Sequence, residues 1–197
     1  MVAAGDLLGL SLNAFLESLA REEPSPGGGS AAAIVVTMAA GLCAKVARAS
    51  PDWPEAGAAV AQAERLRKRT APLAQSDAEA YEEALAALHL PDELELEVRD
   101  MALGKVLARA AEIPLVIAEA GADAAALAAL VADRGTPERR GDAITAALLA
   151  EAAARAAADL VAANLTIAPD DPRALRARSV AEAASTCARQ ALASAQT

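Results

Sequence analysis

After Ser11 the apolar residues Leu12, Phe15, Leu16 and Leu19 recur at i, i+3, i+4 and i+7. This is the spacing of one face of an amphipathic helix, and Ser is a preferred N-cap. The run Glu22-Glu23-Pro24-Ser25-Pro26-Gly27-Gly28-Gly29-Ser30 interrupts it, since two prolines and three glycines do not continue a helix. From Ala31 to about Arg48 the residues are small or apolar around the whole circumference. That pattern predicts a central helix buried on every side.

Ser50-Pro51-Asp52-Trp53-Pro54 marks a turn, after which Ala56 to Thr70 resumes a helical pattern that Pro72 kinks or restarts. Ser76-Asp77-Ala78-Glu79 has the form of a capping box opening the next helix, with Ala80, Ala84, Leu85 and Leu88 on its apolar face and Leu90-Pro91 as its end. Leu90, Leu94, Val98 and Met101 then predict a long helix through Leu107 to Gly121, kinked near Pro114, with Glu93 and Glu97 on its wet side. A short helix over Ala122 to Ala132 closes at Asp133-Arg134-Gly135-Thr136-Pro137, where Gly suits a left-handed cap. Asp142 opens a longer helix to Asn164-Leu165, striped by Glu151, Arg155 and Asp159 at i, i+4, i+8, and Asp170-Asp171-Pro172 caps the last, about Arg173 to Ala195. The expected fold is a single all-α domain over residues 1–197, a bundle of seven or eight helices with short connections.

Composition strengthens this reading. Alanine supplies about three residues in ten and aromatics only 2%, a mixture that favours helix and excludes a β-sandwich or barrel. With 18 basic against 27 acidic residues, the net charge of −9 offers no long-range attraction for nucleic acid or an anionic membrane. Cys43 and Cys187 lie far apart in alanine-rich surroundings and read as small hydrophobes in a reducing compartment. The uncharged stretch from Ala31 to Ala44 is shorter than a bilayer span, and the N-terminus has no secretory pattern, so a cytoplasmic location is expected. Alanine-rich seams allow close helix approach, which suits a dimer interface.

One histidine, His89, cannot build a two-histidine zinc site, and the chain has no Cys-x-x-Cys or Glu-x-x-His. No metal is expected. His89 suits either a helix C-terminus, where the dipole favours it, or a general base. The Gly27-Gly28-Gly29-Ser30 tetrad allows a ligand to approach backbone N–H groups at the start of the buried helix, or else a neighbouring helix to pack closely there.

Leu12 to Leu19 followed by Pro24-Ser25-Pro26-Gly27-Gly28-Gly29-Ser30-Ala31-Ala32-Ala33 resembles the opening of the formiminotransferase-cyclodeaminase C-terminal domain family, which includes free-standing methenyltetrahydrofolate cyclohydrolases. The resemblance continues through Asp77-Ala78-Glu79-Ala80-Tyr81, Ala110-Ala111-Glu112-Ile113-Pro114-Leu115, Gly135, Gly141-Asp142-Ala143 and Asn164-Leu165, covering most of the chain in order. It implies an all-α homodimer that binds a tetrahydrofolate derivative as substrate, with no tightly bound cofactor, and acts on the carbon bridging N5 and N10. In cyclodeamination N10 attacks the formimino carbon and ammonia leaves. In cyclohydrolysis water attacks the methenyl carbon and the ring opens. Both need a positioned proton carrier, work suited to a carboxylate.

Carried over residue by residue, the resemblance implies Asp77 and Asp142 as acid/base or cation-stabilising carboxylates, Gly27, Gly28, Gly29 and Ser30 as folate-binding backbone, and Tyr81 as a ligand or orienting partner one turn from Asp77. Arg139 and Arg140, nearer Asp142, rank ahead of the Arg65, Arg67, Lys68 and Arg69 cluster for an anionic tail; a basic run on an exposed helix is otherwise a solvated face. Both acids also stand at predicted helix starts, where Asp is a preferred cap. The chain departs from the family's Asn-x-x-Ser-Asp-x-Gly pattern at Gly141 and Ile144. A non-catalytic helical module that binds a ligand or a partner protein is the alternative. A pure scaffold would show no pocket beside Gly28 and no carboxylate facing it.

Overall fold

The computed structural model describes residues 6–88, 96–165 and 170–194. Their regular structure is eight α-helices: α1 (Leu12–Leu19), α2 (Gly28–Arg48), α3 (Ala56–Thr70), α4 (Leu73–Leu88), α5 (Leu96–Ala110), α6 (Glu112–Arg134), α7 (Arg140–Asn164) and α8 (Pro172–Ala193). Two 3₁₀ turns, Leu7–Gly9 and Pro137–Arg139, precede α1 and α7. Helix α2 is the axis, packed by α3, α4, α6 and α7, while α6, α7 and α8 lean on one another. Its core is small-residue packing: among the described residues Val36, Val46, Ile117, Leu127, Val131 and Val161 are the large aliphatic side chains fully buried among a field of alanines. Short side chains let helix axes approach closely, so close contact replaces bulk as the source of dispersion energy.

Several expected boundaries shift, each for a physical reason. Helix α2 begins at Gly28 and not Ala31, because the first helical residues need no intrahelical donor partner and glycine there leaves their N–H groups open. Helix α4 begins at Leu73 and not at the predicted Ser76 cap: Pro72 restarts the helix just ahead of it, and the Ser76 hydroxyl donates back to the Pro72 carbonyl at 3.3 Å. Asp77 therefore lies inside a helix and caps nothing in α4. The chain breaks at Ala111, which places Pro114 in the first turn of α6, where it costs no hydrogen bond and makes no kink. Helix α6 then continues through Gly121 to Arg134 without the expected division. Gly135 is extended (φ −75°, ψ 169°), not left-handed; a Cβ there would collide with the Val131 backbone carbonyl and stand 2.8 Å from Val46 Cγ1, so close approach is what requires glycine. Asp142 lies in the first turn of α7 but is not its N-cap, a position held by Arg139. The last helix keeps its expected cap, the Asp171 side chain accepting from the Arg173 N–H at 2.8 Å. His89, Leu90-Pro91, Glu93 and Leu94 lie outside the described residues.

Starting at Gly28, α2 is long and apolar enough to cross a membrane by length and composition, as is the stretch Gly104–Arg134, yet 56% of each window is buried inside the bundle. The Ala31 to Ala44 count therefore understated the apolar length of α2.

Gly121 lets α6 approach α7 closely. A Cβ there would lie 2.9 Å from Ala154 Cβ and 3.1 Å from the Ala154 backbone nitrogen. Gly121→Val is expected to push α6 off α7 and lower the unfolding free energy by about 1–3 kcal/mol, read from urea denaturation at constant slope.

Candidate functional site

The N-terminus of α2 has no side-chain cap of its own, because Gly27 occupies the N-cap position. Asp77, on α4, supplies the missing acceptor, and its carboxylate takes hydrogen bonds from the Ser30 backbone N–H and from Ser30 Oγ at 3.2 Å. The contact is possible only because residue 29 has no side chain. A Cβ at Gly29 would stand 2.6 Å from Asp77 Oδ2 and closer still to Oδ1.

The Ser30 hydroxyl has a single proton and two acceptors, the Ala74 carbonyl at 2.7 Å and Asp77 Oδ2 at 3.2 Å. The shorter bond to Ala74 makes the one to Asp77 the weaker of the two, so the hydroxyl stabilises the ionised carboxylate only in part. Desolvation by burial pushes the Asp77 carboxyl above the usual aspartate range, and the Ser30 hydroxyl and N–H pull it back only in part. The group is thus equipped to hold and release a proton.

Asp77 opens onto a cavity of about 260 Å³. Gly27, Gly28 and Gly29 form one wall, and the N–H groups of Gly28 and Gly29 belong to the first helical turn, without intrahelical partners. Pro24, Pro114 and Leu160 supply apolar walls, while Tyr81, one turn after Asp77, and Asn164, the last residue of α7, add polar groups. Among the described residues the lining holds one carboxylate and no Lys or Arg. The arrangement offers an acceptor or proton carrier beside backbone donors, between apolar surfaces.

The structure therefore gathers Gly27, Gly28, Gly29, Ser30, Asp77 and Tyr81 into one place, with Ser30 fully buried and reaching the cavity only through Asp77. Asp142, Arg139 and Arg140 lie elsewhere. Asp142 pairs with Lys45 Nζ at 2.8 Å and Arg139 at 3.9 Å. Lys45 stands fifteen residues along α2 from Ser30, about 22 Å at the helical rise. Within one chain, one bridging carbon cannot touch both acids. Asp142→Asn removes a partly exposed ion pair and is expected to change the unfolding free energy by less than about 1 kcal/mol. The basic cluster on α3 is occupied in part by pairs, Arg67 with Glu64 at 2.9 Å and Arg69 with Asp123 at 2.8 Å.

Pro24, Pro114, Leu160 and Asn164 were not singled out from the sequence as site residues. Pro24, Pro114 and Asn164 did stand in the segments that carry the family resemblance, which is the signal that pointed to them. Among the described residues, no group of three or more His, Cys, Asp or Glu side chains faces a common point. A wider cleft of about 660 Å³ between α7 and α8 is lined by the exposed charges Arg155, Asp159, Arg178 and Glu182.

A family model described as formiminotransferase-cyclodeaminase matches residues 11–184. The chain belongs to this family. A relative named methenyltetrahydrofolate cyclohydrolase, from Methylorubrum extorquens, is 31% identical over 157 residues, covering 75% of this chain and 76% of its own. The crystal structure of formiminotetrahydrofolate cyclodeaminase from Thermotoga maritima has a TM-score of 0.83 to this one at 24% identity, over 97% of this chain and 98% of that one. That likeness shows a shared fold. The family match runs through both the Gly27–Ser30 turn and Asp77, so the whole cavity wall built by α2 and α4 lies inside it.

Proposed function

We propose that this chain is a folate one-carbon enzyme acting on the carbon that bridges N5 and N10 of tetrahydrofolate, as a methenyltetrahydrofolate cyclohydrolase or a formimidoyltetrahydrofolate cyclodeaminase. The observation that carries the reading is the Asp77 carboxylate, its pKa raised by burial, facing a cavity whose described lining offers no cation. Both substrates are amidinium-like at the reacting carbon, and a carboxylate without a competing cation is complementary to that charge. At about 260 Å³ the cavity is smaller than the 300–1,000 Å³ of sites that enclose a drug-sized ligand. It takes the bicyclic ring end between Pro24, Pro114 and Leu160 and leaves the glutamate tail outside, away from Asp77.

In the hydrolytic direction water adds to the methenyl carbon and gives one proton to Asp77, which returns it to N5 as the carbon–N5 bond breaks, while the remaining hydroxyl proton leaves to solvent as the formyl carbonyl forms. In the deaminating direction N10 adds to the formimino carbon and the same carboxylate relays its proton to the departing ammonia. A cytoplasmic homodimer is part of this proposal. Asp142 is assigned to the Lys45 ion pair and not to this proton transfer.

The deciding experiment follows the ultraviolet absorbance of 5,10-methenyltetrahydrofolate with purified protein against buffer. Saturable, enzyme-dependent loss of the methenyl chromophore supports cyclohydrolase chemistry. Its absence, together with ammonia release from the 5-formimino substrate, supports the cyclodeaminase. Failure of both overturns the enzyme reading in favour of a ligand-binding module.

A further inference from the structure

Asn164 ends α7 on the cavity, next to the break between α5 and α6. Its Nδ2 donates to the Ala110 carbonyl at 3.1 Å. That carbonyl lies at the C-terminus of α5, where helical carbonyls have no intrahelical donor. The bond fixes which way the amide faces, since only the NH₂ side can meet a carbonyl oxygen. Asn164 Oδ1 takes no hydrogen bond from any described residue, and it is not among the buried atoms left without a partner. With Nδ2 committed to Ala110, Oδ1 is the amide atom left to accept from a ligand, on a residue that lines the cavity beside Leu160, Pro114 and Ala110.

An acceptor on an apolar stretch of wall discriminates between ligands, because one that offers it no donor leaves it desolvated and unpaired. We propose that Asn164 is a substrate-binding and specificity residue, its Oδ1 accepting a hydrogen bond from a ring N–H of the bound tetrahydropterin. Resting on the folate reading above, this assigns the ring end of the substrate a polar contact besides Asp77 and the Gly28–Gly29 backbone. Asn164 also ties the end of α7 to the end of α5, and the test separates that structural tie from ligand recognition.

The probe is 5-formyltetrahydrofolate, a reduced folate that the full-length chain need not turn over, titrated calorimetrically into wild type, Asn164→Ala and Asn164→Asp, with melting curves for all three. Asn164→Ala should melt lower and weaken Kd about tenfold, the loss of one ligand hydrogen bond. Asn164→Asp gives up the N–H donated to Ala110 but keeps an acceptor oxygen. It should melt lower too, yet bind within threefold of wild type. If both variants melt lower and bind like wild type, the residue is only a tie and the proposal falls while the folate reading stands. Equal weakening in both overturns the acceptor role. No binding of the probe by wild type removes the folate reading, and this proposal with it.

Discussion

Asp77→Asn is expected to lower kcat on the active folate substrate by about 10²–10⁴-fold while the bundle stays folded, the usual worth of a positioned proton carrier. Asparagine keeps an acceptor for the Ser30 N–H and so preserves the cap on α2, but it can neither take nor return a proton. The pH profile gives a second readout. Acting from its ionised form, Asp77 loses activity as pH falls through its pKa, and burial places that limb above the ordinary aspartate value near 3.9. The variant should lack the limb.

Stability moves the other way. The folded pKa is raised, so protonation favours the fold. That contribution is fully present below the unfolded pKa and is lost as pH rises through the folded one. At pH 7 the wild type holds a disfavoured charge, which the neutral amide removes, so the variant should melt at or above the wild-type temperature. A variant that loses activity only in proportion to a lower melting point would show that Asp77 serves α2 as a cap and nothing more.

Helix identity was legible because period 3.6 survives wherever a face is buried; α1 and α3 start and stop where the pattern says, and Asp171 caps α8 as expected. Helix starts at glycine and proline were misread because local propensity competes there with tertiary contact. Gly28 and Gly29 are poor helix formers by propensity, yet the carboxylate of Asp77 supplies a cap that no neighbouring residue in sequence provides. Gly135 carries the composition of a left-handed cap but is required by close approach, first of the Val131 backbone carbonyl one turn back and then of Val46, 89 positions earlier in the chain.

The same limit governs the site. Asp77 and Asp142 were equivalent in the sequence, each at a predicted helix start, and only the length of α2 between their partners Ser30 and Lys45 sets them apart. Leu160 and Asn164 reach the cavity from α7, a relation with no local signature. The scaffold alternative is the one that the geometry addresses directly: a cavity lies beside Gly28, and a carboxylate faces it.

Gly29→Ala is expected to reproduce most of the activity loss of Asp77→Asn without touching a titratable group. The added methyl would need to occupy space within 2.6 Å of Asp77 Oδ2, and aspartate has too short a side chain to yield while keeping its bonds to Ser30. The carboxylate must turn away, leaving the Ser30 N–H unsatisfied and the proton carrier displaced from the reacting carbon. Alanine's better helix propensity, about 1 kcal/mol, offsets part of the damage. A net destabilisation of about 1–3 kcal/mol is therefore expected from the forced repacking.

Gly28→Val provides the contrast. A Cβ at position 28 meets only Leu160 Cδ1, at 4.0 Å, so the fold accepts the side chain, which then fills space meant for the ligand. That variant should raise KM and weaken folate binding at least tenfold while the pH limb of Asp77 stays where it was. Steady-state kinetics across pH on the two variants decides the matter: a Gly29→Ala enzyme with wild-type kcat and an unshifted limb would mean that the position of Asp77 against the glycine turn is not what the reaction uses.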